Sequence, residues 1–218
     1  MLKNFIEQTI NGIQVGSIYA LIALGYTMVY GIVKLINFAH GDILMVGAYI
    51  AFASVSSGIP LPVAIIISMV TCAVLGVTID YFAYRPLRNS PKISALITAI
   101  GVSFLLESLA LIIFKAEPKV IKTENIPSFL SSDSINFGYV SVSKLTIFVI
   151  VVTLLCMLGL NFFIKKTKLG KATRAVSQDT SAAKLMGINV NLTIAVTFAI
   201  GSALGSLGGV LYALMYPE

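Results

Sequence analysis

Few residues in this chain could do chemistry, and most of them crowd into one short interruption. Asn37, His40, Gly41 and Asp42 lie between two long apolar runs. Asparagine offers a donor and an acceptor, histidine can supply either, and aspartate supplies a carboxylate. Gly41 permits a backbone turn that other residues resist. If such a break lies at membrane depth, it survives only where it lines a cavity or is buried in protein. Its freed backbone groups are then available to bind a polar solute. The other reading is a plain cytoplasmic turn with Asp42 capping the next helix. The spacing leaves both open.

One further carboxylate stands in an apolar run. Glu107 interrupts residues 93–114, where a central charge costs about 2.5–3.5 kcal/mol. The thirteen Leu, Ile, Val and Phe residues of that run return about 4–8 kcal/mol, so the helix still inserts. Glu107 must then face protein or water, either on a solute path or as interhelical glue. Asp80, five residues before Arg85, can snorkel outward or pair with a nearby base.

Other chemistry is poorly served. His40 is the only histidine, so no histidine-based metal site forms within this chain. Cys72 and Cys156 fall in apolar runs, where thiols behave as small hydrophobes. A G-x-x-x-x-G-K-[ST] phosphate loop is missing: Gly170-Lys171 is followed by Ala172 and lacks the upstream glycine. If ATP drives this protein, another subunit hydrolyses it. No two ionisable residues share one span at helical spacing, which disfavours an intramembrane enzyme. We expect no catalytic residue, metal or cofactor here.

The surrounding elements are set by composition. Of 218 residues, 57% are hydrophobic and 11% charged, with mean hydropathy +0.95. Soluble domains carry roughly 25% charged residues, so this surface faces lipid. Residues 10–33, 63–84, 93–114, 145–164 and 193–216 approach the ~20 helical residues that a bilayer core requires. The run 43–57 is shorter and is closed by Gly58, Pro60 and Pro62. Either residues 34–42 extend it, or the helix is broken there. The expected fold is all-α, a polytopic membrane protein of about six spans in a single domain, 1–218. The first run is too long for a signal-peptide core and should stay in the mature protein.

Charge sets the expected orientation. The net charge of +6 would suggest nucleic acid in a soluble protein, but here the bases cluster between spans as topology signals, with no nucleic-acid partner. Loop 85–92 holds Arg85, Arg88 and Lys92. Loop 165–192 holds Lys165, Lys166, Lys168, Lys171, Arg174 and Lys184. Both should be cytoplasmic, with 115–144 external and the N-terminus outside. Two rows of small residues, Gly12 with Gly16 and Gly201 with Gly205 and Gly209, should let helices approach closely. Packing within one subunit is favoured over a dedicated dimer face.

The loop after the fifth long run is unusual for its length. Ala172, Ala175, Val176, Ala182, Ala183 and Met186 recur at helical spacing with Asp179 interrupting, while Lys171, Arg174, Gln178 and Ser181 form another face. A short amphipathic helix of this kind can lie on the membrane or dock on a partner. The residues alone leave these equal.

Several segments resemble a known family. Gly16-Ser17-Ile18-Tyr19-Ala20-Leu21-Ile22-Ala23-Leu24-Gly25, Met28-Val29-Tyr30-Gly31-Ile32 and Ile36-Asn37-Phe38-Ala39-His40-Gly41-Asp42 resemble the permeases of high-affinity branched-chain amino acid ABC transporters. Thr167-Lys168-Leu169-Gly170-Lys171 and Gly187-Ile188-Asn189-Val190-Asn191 are similar to those and to related sugar permeases. The resemblance covers nearly the whole chain. It implies an inner-membrane importer of two permeases and two ATPases, fed by an extracytoplasmic solute-binding protein. It implies further helices after Glu218, so the chain looks C-terminally incomplete. It also implies an ATPase-docking motif at Ser181, Ala182, Ala183 and Gly187, with Ser181 where the motif typically opens with Glu. The solute path is expected at Asn37, His40, Gly41, Asp42 and Glu107. The rival reading is a secondary transporter or channel with Glu107 as coupling carboxylate.

Overall fold

The structure is a computed structural model that describes residues 2–34, 36–88, 90–115, 119, 134–137 and 140–216. Its elements, in order, are α1 (Leu2–Val33), α2 (Ala39–Ser56), α3 (Leu61–Ile79), α4 (Lys92–Phe114), β1 (Ser134–Phe137), β2 (Val140–Ser143), α5 (Lys144–Lys166), α6 (Lys168–Gln178), α7 (Thr180–Leu185) and α8 (Val190–Met215). A π-helical turn, Asp80–Tyr84, and a 3-10 turn, Arg85–Leu87, extend α3. Among the described residues, six helices are long and apolar enough to cross a membrane: α1, α2, α3 with its extension, α4, α5 and α8. The chain is a helical polytopic membrane protein in which the described strands β1 and β2 pair antiparallel. Most of the expected external loop 115–144 lies outside the described residues.

Turn chemistry fixes the helix ends. Pro62 opens α3, where a missing N–H costs nothing. Gly58 ends α2 at φ +85°, with Gly58 N–H donating to Val55 O and Ile59 N–H to Ser54 O. That double closure is a Schellman turn, which needs the left-handed conformation that glycine adopts without penalty.

The centre of the bundle is α8. Its apolar window is 72% buried, against 11% for α4, and it packs on α1, α2 and α3. Lipid provides no hydrophobic drive between helices, so close approach and interhelical hydrogen bonds must hold them. A Cβ on Gly209 would stand 2.2 Å from the Leu44 carbonyl oxygen, and one on Gly25 2.6 Å from that of Gly201. Ser68 Oγ donates to Gly47 O at 2.6 Å and lies 2.7 Å from Ser206 Oγ. Gly201 and Gly209 therefore sit where backbones meet, and Gly205 sits against the His40 ring. Gly12 and Gly16 do not: nothing lies within 4 Å of a Cβ on either. That row is exposed on α1 and, among the described residues, meets no other helix.

Both basic loops meet at one end. Arg88, between α3 and α4, hydrogen-bonds Asn191 at the start of α8. Asp80 pairs with Arg88 at 2.7 Å, whereas Arg85 lies over the Tyr81 ring at 5.3 Å.

Candidate functional site

The interruption between α1 and α2 lies deep in the bundle. A Cβ on Gly205 would stand 3.2 Å from the His40 ring, and one on Gly25 would stand 3.3 Å from it. Gly205 is fifteen residues after Val190, the start of α8, or about 22 Å along it at 1.5 Å per residue. Gly25 is eight residues before the end of α1, about 12 Å. The chain leaves α1, folds back into the bundle, and starts α2 beside the middle of α8. A surface turn would not reach this depth.

Local geometry corrects two details of the sequence reading. The helices are interrupted between Val33 and Ala39, and among the described residues there Lys34 is left-handed, at φ 54°. Gly41 is helical and has open space around it. Asp42 lies in the first turn of α2, while Phe38 occupies the N-cap position without a side-chain hydrogen bond to the turn. The helix starts early because His40 N–H already donates to Asn37 O at 3.2 Å. A carboxylate in a first turn is stabilised by the helix dipole, which accounts for Asp42 inside the helix.

The polar side chains at this depth are incompletely satisfied. Asn37, His40 and Asp42 are 4%, 3% and 7% exposed. Tyr84 donates to Asn37 Oδ1 at 2.8 Å, but Asn37 Nδ2, His40 Nε2 and Asp42 Oδ2 have no partner among the described residues. A buried polar group left unpaired costs about 1–3 kcal/mol. Three such atoms cluster at one helix start, and each is a group that calls for a partner. Alongside is a cavity of about 450 Å³, lined by Tyr19, Ile22 and Tyr26 of α1 and by Ile36, Asn37 and His40. Apolar walls beside a few polar groups are the usual make-up of a small-molecule site.

Glu107 does not join this cluster. It is exposed on α4 beside exposed Phe104 and Leu111, about a quarter turn from the buried face of Ala99, Leu106 and Ala110.

The second site is the α6–α7 loop. Thr167 caps α6, accepting from Gly170 N–H at 2.9 Å. The amphipathic segment is two helices rather than one, because Asp179 turns the chain and caps α7. Its carboxylate accepts from Ser181 N–H at 2.7 Å and Ala182 N–H at 3.0 Å. Those bonds, from Ala182 first and Ser181 second, hold its pKa below the ordinary aspartate value. A depressed folded pKa means the cap is present above the usual value of about 3.9 and is lost as pH falls through the lower folded one. The α7 cap should therefore hold level from pH 8 down to about pH 5. Asp179→Ala should fray the start of α7 across that whole range, which amide hydrogen exchange at Ser181 and Ala182 at several pH values would read.

Ala183 is buried, whereas Ser181 and Ala182 are exposed. Gly187 ends α7 at φ +77°. Leu185 was not singled out from sequence, and Met186 only as a member of the apolar repeat, yet they are 89% and 81% exposed. Two neighbouring apolar side chains this bare stand out on a polar loop. Their position directly before the helix-ending glycine is the signal that could have found them.

Comparison with known proteins decides the family. Residues 8–218 match the profile described as branched-chain amino acid transport system / permease component. The chain belongs to this family. It is 40% identical to the high-affinity branched-chain amino acid transport system permease protein BraD of Pseudomonas aeruginosa, over 99% of this chain and 73% of that one. Against LivH of Salmonella typhimurium and of Escherichia coli, the identities are 37% and 36%, over 88% of this chain. The chain spans 65% of the length of either LivH protein. No solved structure gives a significant match. This permease is thus a multi-pass protein of the inner membrane, as its six apolar spans require.

Proposed function

We propose that this permease forms the membrane path of an ABC importer for branched-chain amino acids, with the solute passing the start of α2. The observation that carries the reading is the set of buried, unpartnered polar atoms on Asn37, His40 and Asp42 at mid-bundle depth. A neutral amino acid crosses as a zwitterion and needs both donors and acceptors. Asn37 and His40 offer donors and Asp42 an acceptor. The apolar walls, Ile22, Ala23 and Ile36, suit a branched aliphatic side chain.

The α6–α7 loop is the seat for a separate ATPase, with Leu185 and Met186 as its apolar anchors. Leu185→Ser with Met186→Ser should reduce ATPase co-purification about tenfold or more, as loss of two anchor side chains does. Gly187→Glu should also uncouple the permease while leaving it inserted, since a left-handed turn tolerates few non-glycine residues. Normal co-purification with normal uptake in either variant would refute this seat.

The exposed row Gly12 and Gly16 fits the second permease subunit. A cavity of about 690 Å³ lined by Gln8, Asn11, Gly12 and Tyr19 lies beside it. A solute-binding protein at the opposite face completes the assembly.

Reconstitution tests the function as a whole. Permease, ATPase and binding protein in proteoliposomes should take up leucine only with ATP inside the reach of the ATPase. Uptake by the permease alone, driven by an ion gradient, would favour the rival reading in which Glu107 is the coupling carboxylate.

A further inference from the structure

We propose that Arg88 is a positioning residue that links the α6–α7 surface to the break at Asn37; this rests on reading that surface as the ATPase seat. Its guanidinium is shared between two elements. Nη1 donates to Asn191 Oδ1 at 2.5 Å, and Nη2 donates to both carboxylate oxygens of Asp80 at 2.7 and 2.9 Å. Asp80 is buried, so its charge requires this partner.

From Asp80 the connection runs inward. The π-helical turn Asp80–Tyr84 ends on Tyr84, whose hydroxyl donates to Asn37 Oδ1 at 2.8 Å. Tyr84 is buried, with its ring 5.4 Å from that of Phe198 in α8. A π-helical turn holds one residue more than an α-helical turn, and such turns occur often at functional sites.

From Asn191 the connection runs outward, and it has little slack. Gly187 N–H donates to Lys184 O at 3.0 Å and Ile188 N–H to Ala183 O at 3.1 Å, a Schellman closure of α7. Asn189 Oδ1 then caps α8 by accepting from Leu192 N–H at 3.1 Å. Gly187, Ile188 and Asn189 are each held by a turn or a cap. A displacement of α7 is therefore passed to Asn191, and through Arg88 and Asp80 to the residue that holds Asn37.

Arginine suits this position because its planar fork serves two acceptors at once, whereas a lysine ammonium is a single point. Arg88→Lys keeps a base beside Asp80 but gives up the arm to Asn191. Asn191→Ala removes the same arm from the other side and lies at an exposed position.

The test uses the assembled permease–ATPase complex with Ile36→Cys as reporter, in a background with Cys72 and Cys156 replaced by alanine. The rate of reaction with a polar thiol reagent is measured with and without ATP. Arg88→Lys and Asn191→Ala should each assemble, keep basal ATP hydrolysis, and shrink the ATP-dependent change at the reporter about fivefold. The double variant should lose no more than either single one, since both cut the same link. Tyr84→Phe should show the same reporter defect. If Arg88→Lys fails to assemble, Asn191→Ala decides. An unchanged ATP response in Asn191→Ala would overturn the proposal. A structural staple alone would lower stability without altering the ATP response. Failure of the unmodified chain to retain any ATPase would instead sink the docking reading itself.

Discussion

Asn37→Ala is expected to cut ATP-driven leucine uptake about tenfold, matching loss of one buried hydrogen-bonding group worth about 1.4 kcal/mol. Asn37 accepts from Tyr84 through Oδ1, and its Nδ2 is buried with no partner among the described residues. The alanine variant loses both roles and leaves the Tyr84 hydroxyl buried without its acceptor. ATPase co-purification should be unaffected, because the α6–α7 surface is untouched. Asn37→Asp distinguishes the two roles: it keeps an acceptor for Tyr84 but removes the Nδ2 donor. If the aspartate variant transports normally, that donor has no part in the path. His40→Ala is expected to impair uptake as well, whereas Glu107→Gln should leave it near the unmodified rate, since Glu107 is exposed on α4.

Gly209→Val carries the largest expected effect on folding. A Cβ there would stand 2.2 Å from the Leu44 carbonyl oxygen and 2.9 Å from its carbon. These are backbone atoms, so no rotamer change relieves the clash and α2 must move away from α8. Overpacking of this kind costs about 3 kcal/mol or more. The variant should be recovered in low yield and should aggregate at lower temperature in detergent. Gly12→Val is the control, because it meets nothing within 4 Å. Its effect on the single protomer should be below about 0.5 kcal/mol, and any defect should appear in pairing with the second permease. A Gly209→Val protein as stable as the parent would mean that α2 does not seat on α8 as described.

Much of this architecture was legible in the chain. Long apolar runs placed the span ends within a few residues, since lipid demands continuous helical hydrogen bonding. The exception is α1, which starts at Leu2, eight residues before the expected start. The depth of the break was not legible. Asn37 and His40 read alike in a surface turn and in a re-entrant segment, and the difference lies in which residues of α1 and α8 they meet. Nor could spacing tell that Gly41 would be helical while Lys34 took the left-handed turn, because glycine permits that conformation without requiring it. The exposure of Gly12 and Gly16 was hidden for a similar reason. A small-residue row announces a close contact without naming the helix that makes it. Asp179 showed as an interruption in the amphipathic pattern, but only its bonds to Ser181 and Ala182 turn that interruption into a cap. Tyr84 gave no sequence signal, since its partner lies 47 positions away.

Access to the break is the most direct test. Cysteines at positions 37 and 40, in a background lacking Cys72 and Cys156, are exposed to a polar thiol reagent in the reconstituted complex. A cysteine at Leu185 in the permease without ATPase serves as the reactive control. Positions 37 and 40 should react, at rates that change when ATP binds. Cysteines that stay unreactive with and without ATP, while the complex still imports leucine, would place the solute path elsewhere.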